Sequence, residues 1–262
     1  MSGPVAVNHA VEGPPGAPAL VLANSLGTSL AMWDPQVRAL AARYRVVRYD
    51  QRGHGASPVP PGPYASADLG LDLLALLDRL GIDRAHVCGL SLGGMTAMWV
   101  AAHAPGRVDR LVLCCTSAWL DRDAYARRAV QVRARGMESV VDAVLGRWFT
   151  PAFGARDPER LAALRQMLVT TPVEGYAGCC EAIATLDLEN RLPAIAARTL
   201  VVGAAADAAI PAGHAERLAA AIPGSRLRVV PGAGHLANIE QPEAVTALIL
   251  EHLGREQVEE PR

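Results

Sequence analysis

Ala85-His86-Val87-Cys88-Gly89-Leu90-Ser91-Leu92-Gly93-Gly94 is the stretch on which the reading of this chain turns. A short apolar run enters it, a run of small residues suited to a helix leaves it, and between them stands Gly-x-Ser-x-Gly. A serine hydroxyl is a poor nucleophile until it is lifted beside a base, and a sharp strand-to-helix turn lifts it. Glycines on both sides keep such a turn free of Cβ clashes. In a chain with 24 glycines the spacing alone could arise by accident, so the strand before it and the helix after it carry the inference.

On either side of this turn, short apolar runs at 19–23, 44–49, 85–88, 110–115, 199–202 and 226–230 predict strands, with a hairpin expected near the N-terminus. Stretches with helical leucine spacing lie between and after them, at 68–80 and 242–253. This alternation predicts an α/β fold: a mostly parallel, eight-stranded sheet covered by helices on both faces. The rhythm breaks over 119–187, which holds helical stretches, four arginines between Arg127 and Arg135, and no convincing strand. That length exceeds an ordinary crossover and predicts an inserted helical cap. The expected organisation is a core of residues 1–118 and 188–254, a cap of 119–187 and a charged, solvated tail of 255–262.

With 262 residues, 51 % of them hydrophobic, the chain can bury a large core. A formal net charge of −1 with interspersed signs provides no basic stripe for nucleic acid and no polybasic patch for a membrane surface. The first residues lack a secretory pattern and no apolar run is long enough to span a bilayer, so a cytoplasmic location is expected. Five cysteines, with adjacent pairs at Cys114-Cys115 and Cys179-Cys180, match neither a disulfide framework nor metal-ligand spacing and read as small buried hydrophobes.

A serine nucleophile needs a base, and His235, in Pro231-Gly232-Ala233-Gly234-His235 directly after the last strand, is the best placed of seven histidines. His54 falls in a loop, His86 in a strand and His103 on a helix, while His9, His214 and His252 read as surface residues. Asp207, the only acid in the loop after strand 199–202, would hold the imidazole in one tautomer. Asp121 and Asp123 are the competing acids after strand 110–115. The chain order Ser91, Asp207, His235 differs from the chymotrypsin and subtilisin orders. Backbone amides of Leu92, after the nucleophile, and of Leu26, in Asn24-Ser25-Leu26-Gly27-Thr28, are the expected oxyanion donors. Arg52 and His54, in Asp50-Gln51-Arg52-Gly53-His54-Gly55-Ala56-Ser57, read as supports of the fold, the arginine through anchoring hydrogen bonds.

Together these residues make the chain resemble the α/β-hydrolase superfamily over almost its whole length. A narrower resemblance rests on Asn24 to Thr28 with Met32-Trp33, on Arg147-Trp148-Phe149-Thr150-Pro151, and on Gly178-Cys179-Cys180-Glu181-Ala182-Ile183, which are similar to the 3-oxoadipate enol-lactonases of aromatic catabolism. The resemblance implies hydrolysis of a five-membered enol-lactone to 3-oxoadipate, with no metal and no organic cofactor. It also implies a decarboxylase as fusion or pathway partner, since some members are fused to one, and leaves a homo-oligomer open. The acid loop departs from the family: Ala206 replaces the first of two paired acids, and Ala208-Ala209-Ile210 precede Pro211. Because the lactone is an anion, the pocket needs a cation. Arg133 is the first candidate, with Arg127, Arg128 and Arg147 as alternatives, and Trp33, Trp119 and Trp148 are candidate apolar walls. The other readings are a carboxylesterase, a cofactor-free perhydrolase, or a ligand receptor without turnover.

Overall fold

The computed structural model describes residues 3–254; the charged tail expected over 255–262 lies outside them. Seven strands form one sheet: β1 (His9–Glu12), β2 (Ala19–Ala23), β3 (Arg45–Tyr49), β4 (Ala85–Leu90), β5 (Val108–Cys114), β6 (Arg198–Ala204) and β7 (Arg226–Val230), in the order β1-β3-β2-β4-β5-β6-β7. Every neighbouring pair is parallel except β1 with β3. Residues of β2, β4 and β5 are almost wholly buried on both faces, which is why these strands read as unbroken apolar runs rather than alternating ones.

Among the described residues the sheet has one strand fewer than expected, and no N-terminal hairpin forms. β1 pairs with β3, not with the strand that follows it in sequence. Just before it, Asp50 N–H still donates to the Asn8 carbonyl at 2.9 Å, while side chains take two of the amides: Val5 N–H donates to Asp72 Oδ1 at 2.7 Å and Asn8 N–H to Ser57 Oγ at 2.8 Å. Amides satisfied in that way need no partner strand.

Helices α1 (Asp34–Ala41), α2 (Ser66–Arg79) and α3 (Leu92–His103) flank the first half of the sheet. α3 is buried on nearly every side between the sheet and α2, in keeping with its small and apolar residues. Arg52 is fully buried and reaches Asp72 with both Nε and Nη2, at 2.6 and 2.7 Å, so the anchoring role expected of it holds.

Between β5 and β6 the chain runs through α4 (Arg122–Arg135), α5 (Glu138–Trp148), α6 (Pro151–Arg156), α7 (Pro158–Val169) and α8 (Val173–Ala184). Asp121 caps α4, accepting from Ala124 N–H at 3.1 Å, and α4 packs along α8. The fold closes with α9 (Ala212–Ala221), the short α10 (Ala237–Glu240) and α11 (Pro242–Gly254). All five cysteines are buried and unbridged. His252, read as a surface residue, is also buried, its Nε2 donating to the Arg198 carbonyl at 3.1 Å. Among the described residues no helix is long and apolar enough to cross a membrane.

Candidate active site

The carboxyl ends of β2, β4, β6 and β7 deliver the loops of Leu26, Ser91, Asp207 and His235 to one edge of the sheet, where open α/β sheets gather their ligands. Ser91 sits at φ 54°, ψ −116° between β4 and α3, a conformation rare for a residue with a side chain. Its neighbours determine that geometry. A Cβ on Gly89 would lie 2.2 Å from the Gly93 carbonyl oxygen, and one on Gly93 would lie 2.1 Å from that of Ala23, so no side chain fits at either place. Ser91 N–H donates to the Cys114 carbonyl at 3.0 Å and Thr116 Oγ1 donates to the Ser91 carbonyl at 2.7 Å, pinning the strained peptide to β5 on both sides.

His235 Nδ1 donates to Asp207 Oδ2 at 2.8 Å, and both residues are buried. Asp207 Oδ1 accepts from the amides of Ala209 and Ile210, each at 2.8 Å. Every contact of that carboxylate is an acceptor contact, so it holds the imidazole with the proton on Nδ1 and Nε2 free as a base. The competing acids do not join it: Asp121 is spent on its helix cap and Asp123 is an exposed first-turn residue of α4.

Ser91 and His235 line one cleft together with Ser25, Leu26, Tyr125, Arg128, Val144, Arg147, Trp148, Tyr176 and Ala209. Leu92 opens α3, so its amide is one of the four that a helix leaves without an intrahelical acceptor. Of the expected pocket residues, Trp148 is here. Trp33 is not: it is fully buried at the end of the turn Leu30–Trp33 and packs in the core. Trp119 stacks on His214, with Arg217 3.9 Å over its ring centroid, and joins the cleft no more than Trp33 does.

Arg133 is also placed elsewhere. Its Nε donates to Glu174 at 3.0 Å and its other nitrogens pair with Glu181, in a groove that faces the loop from Val59 to Pro63. Two carboxylates already neutralise it. Arg128 and Arg147 are the cations of the cleft, and neither has a carboxylate partner among the described residues. Arg128 lies 4.8 Å over the Tyr125 ring, and Arg147 Nε donates to the Ala143 carbonyl.

Glu240 was not legible as a site residue. It is buried, and its carboxylate accepts from the amides of Gly234 (2.8 Å) and Thr150 (3.2 Å) and from the Thr150 hydroxyl. An acid between Ile239 and Gln241 carries no pattern that separates it from a solvated one.

The α/β hydrolase fold family matches residues 18–242. A 3-oxoadipate enol-lactonase of Acinetobacter baylyi is 41 % identical over 92 % of this chain and 90 % of its own length. The crystal structure of an enol-lactonase from Burkholderia xenovorans superposes with a TM-score of 0.93 at 42 % identity, covering 95 % of this chain and 96 % of that one. A thermophilic esterase from Thermogutta terrifontis, solved with malate bound, superposes at 0.89 with 33 % identity over 95 % and 93 % of the two chains. By its sheet, its strained serine turn and these likenesses, the chain belongs to the α/β-hydrolase fold family.

Proposed function

We propose that this protein hydrolyses 3-oxoadipate enol-lactone, with Ser91 as nucleophile, His235 as general base and Asp207 as its orienting carboxylate. The observation that carries the reading is the composition of one cleft: a strained serine, a histidine held by a buried aspartate, and two arginines that have no carboxylate partner among the described residues. The enol-lactonase relatives support the substrate, and the chemistry fits a small anionic ester.

Ser91 Oγ attacks the lactone carbonyl while His235 Nε2 takes its proton, and the oxyanion is held by the amides of Leu26 and Leu92. Collapse breaks the ring C–O bond; the proton on His235 passes to the departing enolate, and the enol relaxes to a ketone. Water, deprotonated by His235, then attacks the acyl-enzyme, and Ser91 leaves with that proton as the diacid is released. Arg128 and Arg147 bind the carboxylate arm of the lactone. Residues 119–187 act as a cap that supplies both arginines and Trp148. An enol is a good leaving group, so a site with one base suffices.

The esterase relative at 33 % identity keeps a second reading in view, a carboxylesterase for another small ester. The deciding measurement is kcat/KM for freshly generated enol-lactone beside a neutral p-nitrophenyl ester, with Ser91→Ala as blank. Ser91-dependent lactone opening with weak ester turnover is expected. Ester turnover without lactone opening would replace the substrate while keeping the site.

A further inference from the structure

The turn that carries Leu26 is braced by an imidazole outside the catalytic group. Thr28 N–H donates to the Ser25 carbonyl at 3.3 Å, closing a β-turn over Ser25 to Thr28. Gly27 has φ +77°, while Leu26 is not among the residues of positive φ, which makes this a type II turn. Its central peptide, between Leu26 and Gly27, can reverse to the type I orientation by opposite rotations about Leu26 ψ and Gly27 φ, and that reversal would take the Gly27 N–H away from whatever anchors it.

His54 opposes the reversal. Gly27 N–H donates to His54 Nε2 at 2.9 Å, and His54 Nδ1 faces the Arg52 carbonyl at 3.2 Å. A carbonyl only accepts and an amide only donates, so the ring carries its proton on Nδ1 and keeps its Nε2 lone pair for Gly27. His54 is 1 % exposed, and burial lowers its pKa to about 4, which preserves the accepting form. From the other side Thr171 Oγ1 approaches the Gly27 carbonyl at 3.5 Å, and a Cβ on Gly27 would lie 2.5 Å from Leu168. The turn is therefore held between the core loop of His54 and the helices over the cleft.

We infer that His54 is a positioning residue for the oxyanion site: by accepting the Gly27 amide it anchors the Ser25–Thr28 turn to the core and so keeps Leu26, whose own amide belongs to the preceding peptide, in place beside the developing oxyanion. This rests on the reading that the amides of Leu26 and Leu92 hold that oxygen. It gives the Asp50 to Ser57 segment a part in the chemistry beyond anchoring the fold.

The test compares His54→Phe, which fills the space without an acceptor, with His54→Gln, whose Oε1 can stand where Nε2 does. Steady-state kinetics on the lactone and on the neutral ester are measured beside the affinity of a small boronic acid, which forms a tetrahedral adduct on Ser91, and of a trigonal carboxylate isostere. His54→Phe is expected to lower kcat about 30- to 100-fold on both substrates and to weaken the boronate by a similar factor. KM and the isostere's affinity should stay within about threefold, and His54→Gln should recover most of the loss. A kcat within threefold of the parent, or a loss confined to KM, would overturn the inference. Should His54→Phe not fold, nitrogen-15 spectra of the histidine-labelled parent decide it, because a protonated Nε2 on His54 is incompatible with the proposal. If the boronate binds the parent no tighter than the isostere, the oxyanion reading itself fails; if it binds parent and His54→Phe alike, only the role of His54 falls.

Discussion

The Glu240 carboxylate lies 2.8 Å from the amide of Gly234, the residue immediately before His235. The same carboxylate accepts from Thr150, and Leu236 N–H donates to the Trp148 carbonyl at 3.0 Å, so the loop that carries the base is tied to the junction of α5 and α6. Removing the acceptor leaves buried donors without partners, which costs about 1–3 kcal/mol. Glu240→Ala should lower Tm by about 5–10 °C and also reduce kcat, because the loop that aims His235 loses one of its two ties. Glu240→Gln, which keeps one acceptor oxygen, should lose less of both. Thermal melts and single-turnover rates on the two variants check this; equal effects of Ala and Gln would contradict it.

Ser91 holds a backbone conformation that a side chain makes costly. Replacing it with glycine relieves that cost, whereas alanine keeps the Cβ and the strain. Ser91→Gly is therefore expected to be more stable than Ser91→Ala by about 1 kcal/mol, against the usual order for these two residues, with both inactive. Urea unfolding of the pair measures the difference, and a glycine variant less stable than the alanine one would show that the turn is unstrained.

The arginines make opposite predictions. A hydrogen bond to a charged group contributes about 1.5–3 kcal/mol, so Arg128→Ala or Arg147→Ala should cut kcat/KM for the anionic lactone about 10- to 100-fold and leave the neutral ester within threefold. Arg133→Ala should leave KM for both unchanged, because that side chain is committed to Glu174 and Glu181. A kinetic profile in which Arg133 alone discriminates the anion would reverse the assignment.

Two buried histidines set a pH dependence of stability. His54 and His252 are both held near pKa 4, chiefly by burial, against an ordinary value of 6.5. The unfolded chain takes up protons below pH 6.5 that the native protein refuses until about pH 4, so stability is full above 6.5 and falls as the pH drops through that window. Between pH 7 and 5 the loss is roughly 2 kcal/mol for each group. The urea midpoint should fall accordingly, with a shallower slope in His54→Gln; a flat profile over that range would contradict it.

Much of the fold is legible in the sequence because its signals are local. A buried parallel strand is a contiguous apolar run, and a strand-turn-helix with glycines at fixed offsets must place a serine where Ser91 lies. Chain order then nominated Asp207 and His235, and the structure brings those two side chains to 2.8 Å.

What tertiary structure alone decided is which way long side chains face and which backbone groups are already spent. Arg128 and Arg133 are five residues apart on α4, so their directions differ by about 140° around the helix. Packing of α4 on α8 turned the first to the cleft and the second to two glutamates. Before β1, Asp72 and Ser57, remote in sequence, take the amides of Val5 and Asn8. Glu240 and His54 acquired their contacts with Gly234 and Gly27 in the same way. A pattern in sequence records which residues share a face of their own element; the partner opposite that face is supplied by chain folding from far away, and it is the partner that assigns the chemistry.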